Sequence, residues 1–375
     1  MNIRKFEMER MQCLYEREVE LNLSESGVLP LKLSELLEGE DVEEFLAQEL
    51  WYSASDGCHL LRERIAQFYP DCEAENITVT NGGSEANYVT LWTLLGPEGR
   101  LALMVPNYMQ AWGLGHAYAG GVDTFKLERR TEAGESRWAL DVDSFKRAVN
   151  DKTNVILITN PNNPTGSVLN EAEMETVVEV ARKAGAWLVV DEIYRGAEFE
   201  GNTTPTFWGR YEKVIVTSGL SKAFGLPGLR IGWVVAPKNV IEELWIRHDY
   251  LTLTPGVLSD QLAAIAMEPK RREAILARTR KIIRTNLPPV EDWFLQRDDI
   301  FIYTRPQAGA IIYCEYKLPI NSTELIHRLR AEQSVLLVPG DQLGLDRGIR
   351  TGYGYDLEKT LEGLTRTETL MRALK

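Results

Sequence analysis

Cysteine and histidine are scarce: the 375-residue chain has four of each. Cys13, Cys58, Cys72 and Cys314 lie far apart with no Cys-x-x-Cys pair, so unpaired thiols in a reducing cytoplasm are expected. His59, His116, His248 and His327 show no HxxxH or HExxH spacing, which argues against a zinc site. No run of Lys and Arg reaches five, and the formal charge is −13. That balance excludes a basic nucleic-acid footprint. Any anionic ligand must be held by local groups, because the overall field repels it. No stretch approaches the roughly 18 apolar residues of a membrane span. The N-terminal MNIRKFEMERMQCLYERE is charged throughout and lacks the apolar segment of a signal peptide. Internal repeats and low-complexity linkers are also missing.

What is present suits a globular enzyme. With 44% hydrophobic and 26% charged residues, the chain can build a full core. Its length suggests two or three units of about 150 residues each. From Ile77 to Ala236, short apolar runs (ITVT, LALMV, NVILIT, WLVV, KVIVT, IGWVVA) alternate with helical patterns. One pattern, EAEMETVVEVARKAG, presents Met174, Val177, Val178 and Val180 as an apolar face closed by Gly185. Continuous apolar strands separated by helices indicate a mostly parallel sheet sandwiched by helices. After about residue 270, a long basic helical stretch leads into short strands alternating with helices, which fits a smaller α/β unit. The expected α/β architecture is therefore residues 1–45 as an N-terminal arm and part of the small domain, 46–272 as a large ligand-binding domain, and 273–375 as the rest of the small domain.

In such sheets ligands sit at the carboxyl ends of strands, so the residues after each strand matter most. ITVT runs into Asn81-Gly82-Gly83-Ser84 at the start of a helix. Two glycines and a helix N-terminus make an anion cup suited to a phosphate; a plain turn with a serine N-cap explains the same residues. In SGLSKAFGLPGLRIGW, Lys222 lies just beyond a buried strand among small and apolar residues. An ammonium is costly there. Such a lysine tends toward a lowered pKa and becomes a nucleophilic amine, as Schiff-base chemistry requires. Arg230 begins the next strand, within reach of an anion beside that lysine; snorkelling to solvent explains either residue alone. Asp191 ends WLVV, where a carboxylate needs a cation or a ring N–H, and losing that partner costs about 3–5 kcal/mol. Tyr194, three residues on, can project its hydroxyl to the same side, and Asn163 sits in the proline-fixed loop NPNNPTG with its amide left as a donor; an ordinary turn or loop residue explains either alone. One anion cup, one amine, one acid at depth and phenol plus amide donors match the needs of pyridoxal phosphate: phosphate held, aldehyde captured, ring nitrogen protonated, ring oxygen hydrogen-bonded.

The motifs YSASDGCHLLR, TNGGSEAN, VPNYMQAW, NPNNPTG, VVDEIY, SGLSKAFGLPGLRIGW, LLVPG and GIRTGYG together resemble the class I/II aminotransferases, the aspartate-aminotransferase-like branch of fold type I pyridoxal-phosphate enzymes, over nearly the whole chain. The resemblance implies that Lys222 carries the cofactor and shuttles the substrate proton. It implies that Asp191 pairs with the ring nitrogen and that Tyr194 and Asn163 contact the ring oxygen. Tyr108 matches the aromatic stacked on the ring, and Ile193 the residue packing its other face. Gly83, Ser84 and Arg230 match phosphate ligands. Tyr52 matches the tyrosine that reaches the phosphate of the neighbouring subunit, so a homodimer is implied. Arg350 matches the residue that grips the substrate α-carboxylate.

Three departures stand out. Gly219 occupies a position where the family often has a phosphate-binding Ser or Thr, leaving Ser221 or Ser218 to substitute. Ala111 replaces a histidine that supports the buried acid in some members. NLSESGV replaces a glycine-rich stretch over the substrate, with Ser26 where a glycine normally contacts the carboxylate and Glu25 beside it. Glu25 reads either as an exposed loop residue or as a group that meets a cationic side chain. NLSESGV, GLSKAFGLPGLRIGW and RHDYLTL also resemble segments of capreomycidine synthases. Two reactions are therefore implied: transamination between an amino acid and a 2-oxo acid, and elimination with cyclisation of a hydroxylated guanidino amino acid. The same fold serves as a sensor in transcription regulators, but the acidic balance and the short stretch before the large unit argue against that use. GLGHAYAGG is no dinucleotide fingerprint, because Tyr118 stands at its third glycine position.

Overall fold

Eight strands form the larger sheet of the computed structural model, which describes residues 3–132, 134–200 and 202–375. They are β1 (Ile77–Thr80), β2 (Arg100–Val105), β3 (Gly121–Glu132), β4 (Glu135–Leu140), β5 (Thr153–Thr159), β6 (Trp187–Asp191), β7 (Val214–Gly219) and β8 (Gly232–Val235). Their spatial order is β1-β8-β7-β6-β5-β2-β3-β4. The run from β7 to β3 is parallel, β8 is antiparallel to both its neighbours, and β4 is antiparallel at the far edge. Every residue of β1, β7 and β8 is buried, as a sheet covered on both faces requires.

The covering helices follow from local signals. α1 (Glu7–Tyr15) precedes the sheet, and α2 (Gly83–Leu94) follows β1 directly. α3 (Glu171–Ala184) starts with a reciprocal Asn170–Glu173 capping box and stops at Gly185, whose φ is +65°. Its buried stripe is Met174, Val177, Val178 and Ala181, at i, i+3, i+4 and i+7. Val180 was expected on that face and is only partly buried, because it lies about 100° around the helix from the centre of the stripe.

α4 (Pro269–Leu295) is the long basic helix, with Glu268 as its N-cap accepting a bond from the Arg271 amide. It sends Ile275 and Leu276 into the core of the larger sheet and Ile283, Leu287 and Val290 into a second core. One helix thus spans both cores, and residue 272 falls inside it. The second core surrounds a four-stranded sheet of β9 (Phe301–Ile302), β10 (Ile311–Tyr316), β11 (Val338–Pro339) and β12 (Gly348–Gly352), in the order β9-β10-β12-β11. The N-terminal arm joins it: Leu21 and Asn22 pair in parallel with Val335 and Leu336. The Gly352 amide also donates to the Leu23 carbonyl at 2.8 Å. This pairing sets residues 24–26 beside Arg350 of β12. Among the described residues, no helix is long and apolar enough to cross a membrane.

Candidate active site

A cavity of about 470 Å³ opens at the carboxyl ends of β1, β6 and β7. Gly83, Ser84, Tyr108, Asn163, Asp191, Ile193, Tyr194, Ser221, Lys222, Arg230, Arg350, Glu25 and Ser26 all line it. Tyr52 and Ser218, also singled out from the sequence, do not.

The anion cup forms where β1 ends. Gly82, not a serine, is the N-cap of α2, with φ +98°, and Ser84 lies in the first turn. The first amide groups of a helix have no partner within it and are available to an anion. Arg230 closes over this turn: a Cβ on Gly82 would stand 2.5 Å from its Nη2. Arg230 does not open the strand, as expected, but ends a short 3-10 turn with φ +52° ahead of β8. Its Nη1 donates to the Pro227 carbonyl at 3.1 Å and to Ser221 Oγ at 3.4 Å. Gly219 is explained by its pairing with Gly232 across β7 and β8. A Cβ there would meet the Ile231 carbonyl oxygen at 2.8 Å, so no hydroxyl-bearing side chain fits. Of the two possible substitutes, Ser221 faces the cavity, whereas Ser218 donates to the Glu192 carbonyl at 3.3 Å.

Asp191 is buried at the end of β6 and, among the described residues, has no cation beside it. Its carboxylate accepts from Asn87 Nδ2 and from the Ile193 amide, each at 3.0 Å. Desolvation holds its pKa above the ordinary carboxylate value of 3.8. Asn87 was not apparent from the sequence. It sits one turn into α2, and its own Oδ1 accepts from Thr217 Oγ1 at 2.6 Å, which fixes the amide orientation. The chain thus supports its buried acid from α2, while Ala111 stands where a histidine does so in some members.

Lys222 opens to the cavity and is otherwise enclosed by protein. Desolvation draws its pKa below the ordinary lysine value of 10.5; Arg350 and Arg230 act in the same direction, against Glu25 and Glu9. Burial pushes the Tyr194 hydroxyl up to about 12, so it remains a proton donor. That hydroxyl is buried and has no hydrogen-bond partner among the described residues. Arg350 is 1% exposed. Its Nη1 donates to Asn163 Oδ1 at 3.0 Å and its Nη2 to the Ser24 carbonyl at 2.6 Å, while its Nε has no partner among the described residues. The Asn163 amide nitrogen is consequently left as a donor. The Tyr108 hydroxyl donates to Glu9 Oε1 at 2.8 Å, and its ring meets Phe6 edge-on at 5.0 Å.

These features fit pyridoxal phosphate. An unpartnered buried phenol, a buried acid lacking a cation, an unpartnered guanidinium nitrogen and an amine of lowered pKa share one cavity with an anion cup. Among the described residues no cluster of His, Cys, Asp and Glu could hold a metal.

A sequence model of "Aminotransferase class I and II" matches residues 47–366. The chain belongs to that family. Among its relatives is an aspartate aminotransferase of Streptomyces avermitilis, 27% identical over 320 residues, covering 81% of this chain and 76% of that one. A capreomycidine synthase of Streptomyces vinaceus is 26% identical over 308 residues, covering 82% and 77%. A pyridoxal-phosphate-dependent aminotransferase from Streptococcus suis superposes with a TM-score of 0.90 at 28% identity, over 100% of this chain and 99% of that one. The pyridoxal-phosphate-dependent cyclase OrfR follows at 0.87 and 25%, over 100% and 98%. The class I/II aminotransferase is thus a fold type I pyridoxal-phosphate enzyme whose cofactor is pyridoxal 5′-phosphate.

Proposed function

We propose that this aminotransferase moves the α-amino group of an amino acid to a 2-oxo acid with the residue roles set out here. Bound pyridoxal phosphate supplies an electron sink for the pair left when the Cα–H bond breaks. Lys222 Nζ would take the proton from Cα and deliver it to the aldehyde-derived carbon of the cofactor. Desolvation lowers the Lys222 pKa from the ordinary lysine value, which favours the free amine this role needs. Asp191 keeps the ring nitrogen protonated, and Asn87 keeps Asp191 in place. Tyr194 and Asn163 donate to the ring oxygen. Tyr108 and Ile193 enclose the ring faces. Gly83, Ser84, Ser221 and Arg230 hold the phosphate. Arg350 binds the α-carboxylate through N–H groups not committed to Asn163 and Ser24, with Ser26 beside it. Such a charge-assisted contact contributes about 1.5–3 kcal/mol. The observation that carries this reading is the convergence of Lys222, a cation-free Asp191 and an unpartnered Tyr194 hydroxyl on one cavity.

The working unit in this reading is a homodimer. Tyr52 is 73% exposed, next to Trp51 at 75% and near Leu46 and Leu50 at 78% each. An apolar cluster of that kind supports burial against a second copy, where Tyr52 would reach the partner's phosphate site. Residues 46–272 would act as the large domain, with 1–45 and 273–375 completing the small one. The four free thiols support a cytoplasmic location.

A second reading is elimination and cyclisation of a hydroxylated guanidino amino acid. It is favoured by the likeness to a capreomycidine synthase and to OrfR, and by Glu25 lining the cavity instead of lying on an exposed loop. Single amino acids, including arginine and hydroxyarginines, decide between the two when supplied without any oxo acid. Transamination stops after one turnover per site; repeated turnover without an acceptor selects the second reading.

A further inference from the structure

The cavity holds more carboxylates than the proposed chemistry uses. Its basic residues are Lys222, Arg230 and Arg350, and its acidic ones are Asp191, Glu9, Glu16 and Glu25. In the reading above, each basic group has a task, toward the cofactor aldehyde, the phosphate and the α-carboxylate, and Asp191 serves the ring nitrogen. Of the three others, Glu16 lies 3.9 Å from Arg17 Nε, which leaves Glu9 and Glu25. Neither has an ion-pair partner among the described residues, and Glu9 accepts a single bond, from the Tyr108 hydroxyl. Tyr194 and Arg350 both line this cavity, and each carries a buried polar atom, Oη and Nε, with no hydrogen-bond partner among the described residues, which independently marks it as a place for a ligand.

Glu9 arrives on α1, whose Glu9, Gln12 and Cys13 line the cavity together with its C-cap Glu16. Those positions, i, i+3, i+4 and i+7, are one face of a helix. Gln12 ties this face to the segment carrying Glu25: its Nε2 donates to the Ser24 carbonyl and to Ser24 Oγ, each at 3.0 Å. The same carbonyl accepts from Arg350. α1, Glu25 and the α-carboxylate site are therefore joined through one residue, Ser24.

We propose that Glu9 and Glu25 form a carboxylate pair that selects an amino acid with a cationic side chain, guanidinium or ammonium, and that α1 is the element setting this specificity. A substrate held at Arg350 presents its side chain to this acidic wall. Two carboxylates with no cation of their own attract that charge and repel a second carboxylate. Aspartate, for which several relatives are named, is thereby disfavoured. The inference rests on the proposed α-amino-acid chemistry and on the role given to Arg350.

The test uses the cofactor-loaded enzyme and the absorbance change of the bound cofactor on mixing with L-arginine, its neutral isostere L-citrulline, or L-aspartate. Arginine is expected to bind at least about tenfold more tightly than citrulline, with aspartate weakest. Glu9→Gln should lower the arginine-to-citrulline affinity ratio by about tenfold, and Glu9→Asp, which keeps the charge, should retain most of it. Tyr108→Phe removes the hydrogen bond to Glu9 but not its carboxylate, and should keep the ratio high. Equal binding of arginine and citrulline, preference for aspartate, or a Glu9→Gln ratio unchanged from the parent would overturn the proposal while leaving the amino-acid chemistry intact. A protein that retains no cofactor and responds to no amino acid would instead overturn the underlying reading.

Discussion

The floor and the wall of the cavity are built in different ways. The floor is rigid backbone: Asp191, Lys222 and the Asn81–Ser84 turn follow directly from β6, β7 and β1, three strands of one buried sheet. The wall is an assembly of side-chain bonds, from Gln12 and Arg350 to Ser24 and from Tyr108 to Glu9, linking a helix to a loop. Rigid elements hold reacting groups within the tolerance chemistry needs. A wall of replaceable contacts lets the same chemistry meet different side chains. In the proposed function, catalytic roles concentrate in the floor and substrate choice in the wall.

Substitutions that damage one region and spare the other break or sharpen this division. The largest effect is expected at Lys222, where Lys222→Ala should lower turnover by about 10⁴-fold for every amino acid tested, measured as initial rates. Asp191→Asn should lower turnover by about a hundredfold or more, again for all substrates. Its effect on the cofactor-free protein has the opposite sign. Because the folded-state pKa of Asp191 is raised above 3.8, ionising it opposes folding. That penalty is absent below the unfolded value, grows as pH rises through it, and is complete above the folded value. Thermal melts of cofactor-free Asp191→Asn should therefore show a gain in stability at neutral pH that disappears in acid.

The smallest effect belongs to the wall. Gln12→Ala leaves the floor intact but loosens α1 from Ser24. It should raise KM for a cationic amino acid by about three- to tenfold, more than it lowers kcat, and steady-state kinetics separates the two. A Gln12→Ala variant that lost kcat as severely as Asp191→Asn would erase the distinction between floor and wall.

The same division explains what could be read from the sequence. The strand ends, the glycine turn and Lys222 lie inside short motifs, so their chemistry is visible locally, and the mostly parallel sheet follows from continuous apolar runs. Asn87 and Glu9 were hidden because the contacts that give them meaning span 104 and 99 residues. Asn87 looked like an ordinary helical residue, and the N-terminal segment showed only that it was charged. Glu25 lay in between: its sequence fitted a solvated loop, and only the pairing of Leu21 and Asn22 with the small-sheet side turns that loop into the cavity. Gly219 looked like a lost phosphate ligand until its pairing with Gly232 showed that no larger residue fits there.

Borohydride reduction of the cofactor-loaded protein, followed by peptide mass spectrometry, tests the central claim most directly. A single reduced cofactor adduct on Lys222 is predicted, abolished in Lys222→Ala. An adduct on another lysine, or a protein that takes up pyridoxal phosphate without one, would contradict the account.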